Sequence, residues 1–272
     1  MILVIEASDQ ATRTHLNDAI LPNWMRTLIV PLGNITTKPR AMNYALPFCK
    51  GDIVGIYDAE DAPHPEQLNE VVARFAAESN KTACLQGILD FYNARSNALA
   101  RFFTIEYAIW FRLILPGISK LGFAIPLGGT SVFFRRDILE KLIGWDAHNV
   151  TEDADLGIRL ARAGYCTKLI SSVTLEEANN KTWPWIKQRS RWLKGYLITY
   201  FTHMRRPFRL LVELGPWKFF GFQAFFLSSI SQHMLAPLIW SHMILYFTAR
   251  NWLDAAIPAQ LLSVIIIAFI FM

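Results

Sequence analysis

The sequence predicts an α/β domain built on a largely parallel sheet, followed by a strongly apolar carboxy-terminal region. Three observations carry this expectation. Short β-rich runs alternate with helical patterns from residue 1 to about 90. The chain is 53% hydrophobic and only 18% charged, more apolar than an ordinary soluble domain. The uncharged residues also collect at the end, with no Asp, Glu, Lys or Arg from Phe219 to Phe247 or from Ala255 to Met272.

Taken in order, Ile2 to Ala7, Leu28 to Pro31, Ile53 to Tyr57 and Ala83 to Ile88 read as strands. The clearest helix follows Pro65. Leu68, Val71, Val72, Phe75 and Ala76 fall at i, i+3, i+4, i+7 and i+8, with Glu66 in the first turn, so one face packs on the sheet. From Leu99 to Leu115 a run of Phe, Tyr, Trp, Ile and Leu is interrupted by only Arg101, Glu106 and Arg112. This run is either a buried helix or one lying in a membrane interface, where Trp and Tyr settle and Arg can snorkel. An Asp137-started helix, a helix from about Asp153 to Ala163 closed by Gly164, and a strand near Cys166 to Ile170 follow. A further helix begins near Pro184.

The two uncharged stretches predict two membrane-crossing helices. At a rise of about 1.5 Å per residue, the second reaches roughly 27 Å, close to the ~30 Å hydrocarbon core. Arg205, Arg206, Arg209 and Lys218 precede the first stretch, whereas the link between the two holds only Arg250 and Asp254. That asymmetry predicts a cytoplasmic location for residues 1 to about 218. The expected organisation is a cytosolic domain over 1–180, an interfacial helix region over 181–216 and membrane helices over 217–272.

A formal net charge of +5 suits a surface that meets anionic lipid and binds an anionic substrate. No pattern for nucleic-acid binding accompanies it. Cys49, Cys84 and Cys166 are widely spaced, with no CxxC pair and no His at zinc-ligand spacing, which predicts free thiols in a reducing compartment. The opening run Ile2 to Ile5 is too short for a signal peptide and lacks a basic segment before it.

Three clusters carry the chemistry. Asp58-Ala59-Glu60-Asp61 follows a strand, where α/β sheets place ligands. Crowded carboxylates there are either a solvated acidic turn before Pro63 and Pro65, or a site for a hard divalent cation bridging a diphosphate. Thr151-Glu152-Asp153 opens a helix. Its carboxylates either complement the helix dipole or include a general base that takes a proton from an acceptor hydroxyl. Gln188, Arg191 and Trp192 stand at i, i+3 and i+4, so they share one face while Arg189 points elsewhere. An amide, a cation and an indole on one surface suit a hydroxyl, a diphosphate and a sugar ring; the alternative is an amphipathic helix at a membrane boundary.

The order and spacing of these clusters resemble the membrane-bound family 2 glycosyltransferases of the cellulose synthase-like group, over nearly the whole chain. The resemblance implies a GT-A (Rossmann-like) mixed sheet flanked by helices, then an interfacial helix and transmembrane helices at the carboxy terminus. It implies inverting transfer from UDP-glucose or UDP-N-acetylglucosamine to a growing β-linked polysaccharide at a bacterial inner membrane, with export subunits as partners. A diacylglycerol or ceramide acceptor, or an inactive relative, are the alternatives.

By the same resemblance Asp153 is the base, and Asp9, Lys38, Asp58 and Arg191 hold the nucleotide sugar. Gly129, Thr130, Glu152, Gln188 and Trp192 line the acceptor site, and Asp58, Glu60 and Asp61 hold magnesium or manganese. Two departures are visible. The acidic motif reads Asp-Ala-Glu rather than Asp-x-Asp, and the family's first strand has no counterpart before Met1, which marks the chain as an amino-truncated piece.

Overall fold

The computed structural model describes residues 1–248. The second expected membrane span, 255–272, lies outside the described residues. The chain divides into two compact units, Met1–Gly221 and Phe222 onward.

The elements in order are β1 (Ile2–Glu6), α1 (Gln10–Asn17), β2 (Arg26–Val30), α2 (Lys38–Ala45), β3 (Ile53–Ile56), β4 (Ala62–Pro63), α3 (Gln67–Ala77), β5 (Thr82–Phe91), α4 (Ala98–Ile109), α5 (Leu115–Lys120), β6 (Val132–Arg135), α6 (Arg136–Lys141), α7 (Glu152–Arg162), β7 (Cys166–Glu176), α8 (Thr182–Met204), α9 (Pro207–Phe222) and α10 (Ser228–Thr248). A short 3₁₀ turn, Leu46–Phe48, follows α2, and π-helical segments precede α5 and α10.

The sheet is mixed, as the family resemblance implied, rather than largely parallel as the strand pattern alone suggested. β1 and β2 pair in parallel as a separate two-stranded sheet, with Ile2 opposite Arg26 and Glu6 opposite Val30. The main sheet has the order β3-β6-β5-β7-β4. Only β5 and β7 are parallel in it, while β6 runs antiparallel to both β3 and β5. The excursion through α4 and α5 returns the chain to the end of the sheet where β5 left it, so β6 must run back. The carboxy ends of β3, β5 and β7 and the amino end of β6 therefore share one edge of the sheet.

Both faces of this sheet are covered. Along β5 and β6, Cys84, Val132 and Phe134 pack into one apolar cluster with Leu139, Trp145, Leu156 and Leu160. The alternating Leu85 and Phe133 pack into another with Val71, Phe75 and Ile170. Two buried faces give runs that are apolar throughout instead of alternating. The three cysteines are free, as expected.

The aromatic run after residue 98 becomes α4 and its π-helical extension Trp110–Ile114. Ala100, Phe103, Phe111 and Leu115 are buried, whereas Phe102, Ile105, Ile109 and Leu113 lie on an exposed stripe, with Phe102 at 70% and Leu113 at 69% of full exposure. The buried-helix reading thus holds for one face, and the other face is exposed.

The first expected membrane span is not borne out. Among the described residues, no helix is long and apolar enough to cross a membrane. The uncharged stretch is divided among the end of α9, the π-helical segment Gln223–Leu227 and α10. Ser228, Ser229, Ser231, Gln232, His233 and Ser241 dilute α10 with polar groups, and Pro237 sits inside it.

Candidate active site

The shared sheet edge gathers most of the residues singled out in the sequence. Asp58 leaves β3 into a tight acidic turn, where the Asp61 amide donates to the Asp58 carbonyl at 3.2 Å. Asp61 turns inward: its Oδ2 accepts from the Asp58 amide at 2.7 Å and from the Thr130 hydroxyl. The Thr130 hydroxyl also receives the Asp58 amide at 3.2 Å, which fastens this turn to the loop before β6. Thr130 is almost fully buried.

Lys38, at the start of α2, bridges the same two segments. Its ammonium pairs with Asp58 Oδ1 and donates to the Gly129 carbonyl at 2.8 Å. Gly129 in turn lies against Asp153: a Cβ there would stand 3.3 Å from Asp153 Oδ2 and 3.9 Å from Lys38 Nζ. Lys38, Asp58, Gly129 and Asp153 therefore surround one small space. Gln86, buried in β5, shapes the loop by donating to the Thr130 carbonyl at 3.1 Å and accepting from the Gly128 amide at 2.8 Å. Sequence reasoning missed Gln86; an amide inside an apolar strand run was the available signal.

Asp153 and Glu152 open α7. The Ala154 amide donates to Asp153 Oδ1 at 2.7 Å. Burial, then the neighbouring Glu152 charge, pushes the Asp153 carboxyl up to about 7. Glu152 is also raised, chiefly by burial, while the charges of Lys38 and Arg191 pull it back. The Tyr196 phenol of α8 is raised by burial and then by the Asp153 charge.

Helix α8 is held against α7 by close packing. A Cβ on Gly195 would collide with the Thr151 side chain. Asn149 donates to the Thr199 hydroxyl at 2.8 Å, and His203 Nε2 donates to Asp155 Oδ1 at 3.0 Å.

On the preceding turns, Gln188 accepts from Asn179 at 2.8 Å, and Arg191 is exposed. Trp192 packs against Phe103 and Tyr107 at centroid distances of 6.0 and 6.3 Å. Arg189 does not point away from this group. Its guanidinium lies 5.1 to 5.2 Å from the ring centroids of Phe103, Trp185 and Trp192 and pairs with both carboxylate oxygens of Glu106. Its flat cation stacks where a long flexible chain can bend round the helix.

Asp9 caps α1: its oxygens accept from the Thr12 amide at 3.0 Å and the Thr12 hydroxyl at 2.6 Å, which holds its carboxyl below the usual range. One expectation is corrected here: Asp58, Glu60 and Asp61 do not form a three-carboxylate cage; among the described residues, no group of three His, Cys, Asp or Glu is placed to hold a metal ion. Asp61 is turned into the loop and Glu60 is exposed on the outside of the turn.

The corner still fits a cation that completes its coordination with substrate oxygens, the habit of magnesium. Asp61 Oδ1 is buried without a hydrogen-bond partner. Glu176, at the end of β7, has a buried Oε1 in the same condition, and its carboxyl is pushed up to about 8 by burial and then by Asp61, Asp58 and Glu60. Glu176 was not foreseen, because nothing in a strand's sequence marks which acidic group will end beside another.

Comparison with known proteins identifies the family and the fold. Residues 53–270 match the model of the family described as glycosyl transferase family group 2. A probable glycosyltransferase, YdaM of Bacillus subtilis, is 30% identical over 70% of this chain and 46% of its own length. The beta-monoglucosyldiacylglycerol synthase of Trichormus variabilis is 28% identical over 58% of this chain and 33% of its own. The chain thus spans less than half the length of these two relatives. A mannosyltransferase from Pyrobaculum calidifontis, solved with GDP-mannose and Mn2+, shares the fold with a TM-score of 0.57 and 20% identity, covering 99% of this chain and 76% of that one.

Proposed function

Because the chain belongs to glycosyl transferase family group 2, we propose that it catalyses inverting transfer of a hexose from a nucleotide sugar, with Asp153 as the general base. The carrying observation is that Asp153 Oδ2 lies against Gly129, whose carbonyl accepts from Lys38, itself paired with Asp58. In this reading the acceptor hydroxyl lies over Gly129, where the missing side chain leaves room for a sugar or glycerol carbon. Asp153 takes the hydroxyl proton as the acceptor oxygen bonds to the anomeric carbon and the bond from that carbon to the diphosphate breaks. A carboxyl titrating near neutrality is well matched to that transfer.

Lys38 and the exposed Arg191 supply positive charge for the departing diphosphate. Asp58 and Asp61, with Glu176 nearby, would hold a divalent cation, magnesium or manganese, which supplies further charge neutralisation when bound. The Pyrobaculum mannosyltransferase was solved with Mn2+, which supports this cofactor.

The donor in this proposal is a UDP-sugar, UDP-glucose or UDP-N-acetylglucosamine, and the acceptor a growing β-linked polysaccharide at the cytoplasmic face of a bacterial inner membrane, with export subunits alongside. The exposed stripe Phe102, Ile105, Ile109 and Leu113 supports attachment to a bilayer surface. A second reading, a diacylglycerol acceptor, is favoured by similarity to the beta-monoglucosyldiacylglycerol synthase.

One experiment tests donor and acceptor together. Membranes containing the full-length product are given labelled UDP-sugars and then extracted with organic solvent. Label in insoluble polymer supports the polysaccharide, label in the organic phase supports the lipid, and label in neither rejects the proposed activity.

A further inference from the structure

The turn between α8 and α9 borders a cavity of about 270 Å3, lined by Arg162, Thr202, His203, Arg205, Arg206 and Arg209. This is smaller than the roughly 300–1,000 Å3 pockets that hold drug-sized ligands, and suits a small ion or headgroup.

Four guanidiniums around one cavity repel one another unless anions intervene. Among the described residues one carboxylate pairs with them: Glu213 accepts from Arg162 Nε and Arg209 Nε, both at 2.6 Å. Asp155, just behind, is committed to Arg159 at 2.7 Å and to His203. Arg162 can only donate to His203 Nδ1, at 2.7 Å, so Nδ1 accepts and the proton sits on Nε2 toward Asp155. Arg205 and Arg206 are exposed and form no ion pair among the described residues. Half of the cationic lining is therefore uncompensated, and the rest is held in fixed orientation by Glu213 and the buried imidazole.

We propose that this cavity is an anion site separate from the nucleotide corner, taking the oxygens of a phosphate group. Arg205 and Arg206 supply the free forks, which match phosphate geometry in pairs, and Arg162 and Arg209 close the field around it. The phosphate can belong to a free phosphorylated metabolite or to a phospholipid headgroup; Phe201 and Phe208, at 61% and 83% of full exposure, flank the arginines as apolar neighbours would flank a headgroup. The proposal does not depend on the catalytic reading.

The test uses the full chain. Inorganic phosphate is titrated calorimetrically into the wild type, an Arg205→Gln/Arg206→Gln double variant and a Lys38→Gln variant; in parallel, flotation is measured with phosphatidylcholine vesicles with and without phosphatidylglycerol. The expected result is binding that weakens about tenfold or more in the double variant, the loss of roughly one charged hydrogen bond, and that survives Lys38→Gln. Phosphate binding with this pattern assigns a free anion, and flotation that requires phosphatidylglycerol, with the same pattern, assigns a headgroup. Absence of both, loss on Lys38→Gln instead, or indifference to the double variant overturns the proposal.

Discussion

Asp153 can work as a base only when ionised, and its surroundings oppose ionisation: burial and the Glu152 charge hold its carboxyl up at about 7. A protonated base cannot accept a proton, so kcat/KM should rise as pH increases through about 7 and level off above it. A profile flat from pH 5 to 9 would remove Asp153 from this role. Asp153→Asn keeps the shape but not the proton affinity; transfer should fall by at least ~10²–10⁴-fold while calorimetric UDP binding stays near the wild-type value. Asp153, Glu152 and Lys38 were legible as residue types at suitable places. Asp9 caps α1 through Thr12, a role that only the hydrogen bonds reveal, because a carboxylate after a strand looks the same in sequence whatever it meets.

The register of α7 against α8 decides where the base points. Gly195 is the point of closest approach, and Gly195→Ala should overpack Thr151 and cost about 1–3 kcal/mol, read from urea unfolding. No change in the midpoint would show that the helices can separate freely. His203→Ala should lower stability by a similar ~1–3 kcal/mol, because Asp155 loses a buried donor, and His203→Gln should recover part of it. α3 was legible as a helix, but of its five expected face residues only Val71 and Phe75 are buried, with Gln67 beside them, while Leu68 and Val72 are exposed; α7 was legible from its acidic start and the closing Gly164. β6 was not: Val132–Arg135 is four residues long, follows a glycine-containing loop and runs directly into α6, leaving no room for a pattern. The aromatic run of α4 was ambiguous for a different reason, since it is apolar on both its buried and exposed sides.

Across the molecule, the raised carboxyls make a linked prediction about stability. Glu176 at about 8, Asp153 at about 7, and the raised Glu152 and Asp61 all bind protons more readily folded than unfolded. Their contribution is complete below the unfolded values near 4 and is lost as pH rises through the folded values. Asp155, held low because hydrogen bonds from His203 and Arg159 outweigh burial, acts in the opposite direction, but only below about pH 4. The metal-free protein should therefore unfold at a higher temperature near pH 5.5 than near pH 8.5, with magnesium or manganese restoring stability chiefly at the alkaline end. Equal melting temperatures at the two pH values, with no metal effect, would contradict an acidic corner built for a cation. By itself the sequence determined the α/β class and the order of the chemical clusters, because side-chain periodicity and strand-end motifs are local properties. Tertiary structure decided the mixed strand directions, the inward turn of Asp61, the arrival of Glu176 and the cage around Arg189. These depend on which distant segments pack together at one sheet edge, and no local pattern encodes that distance.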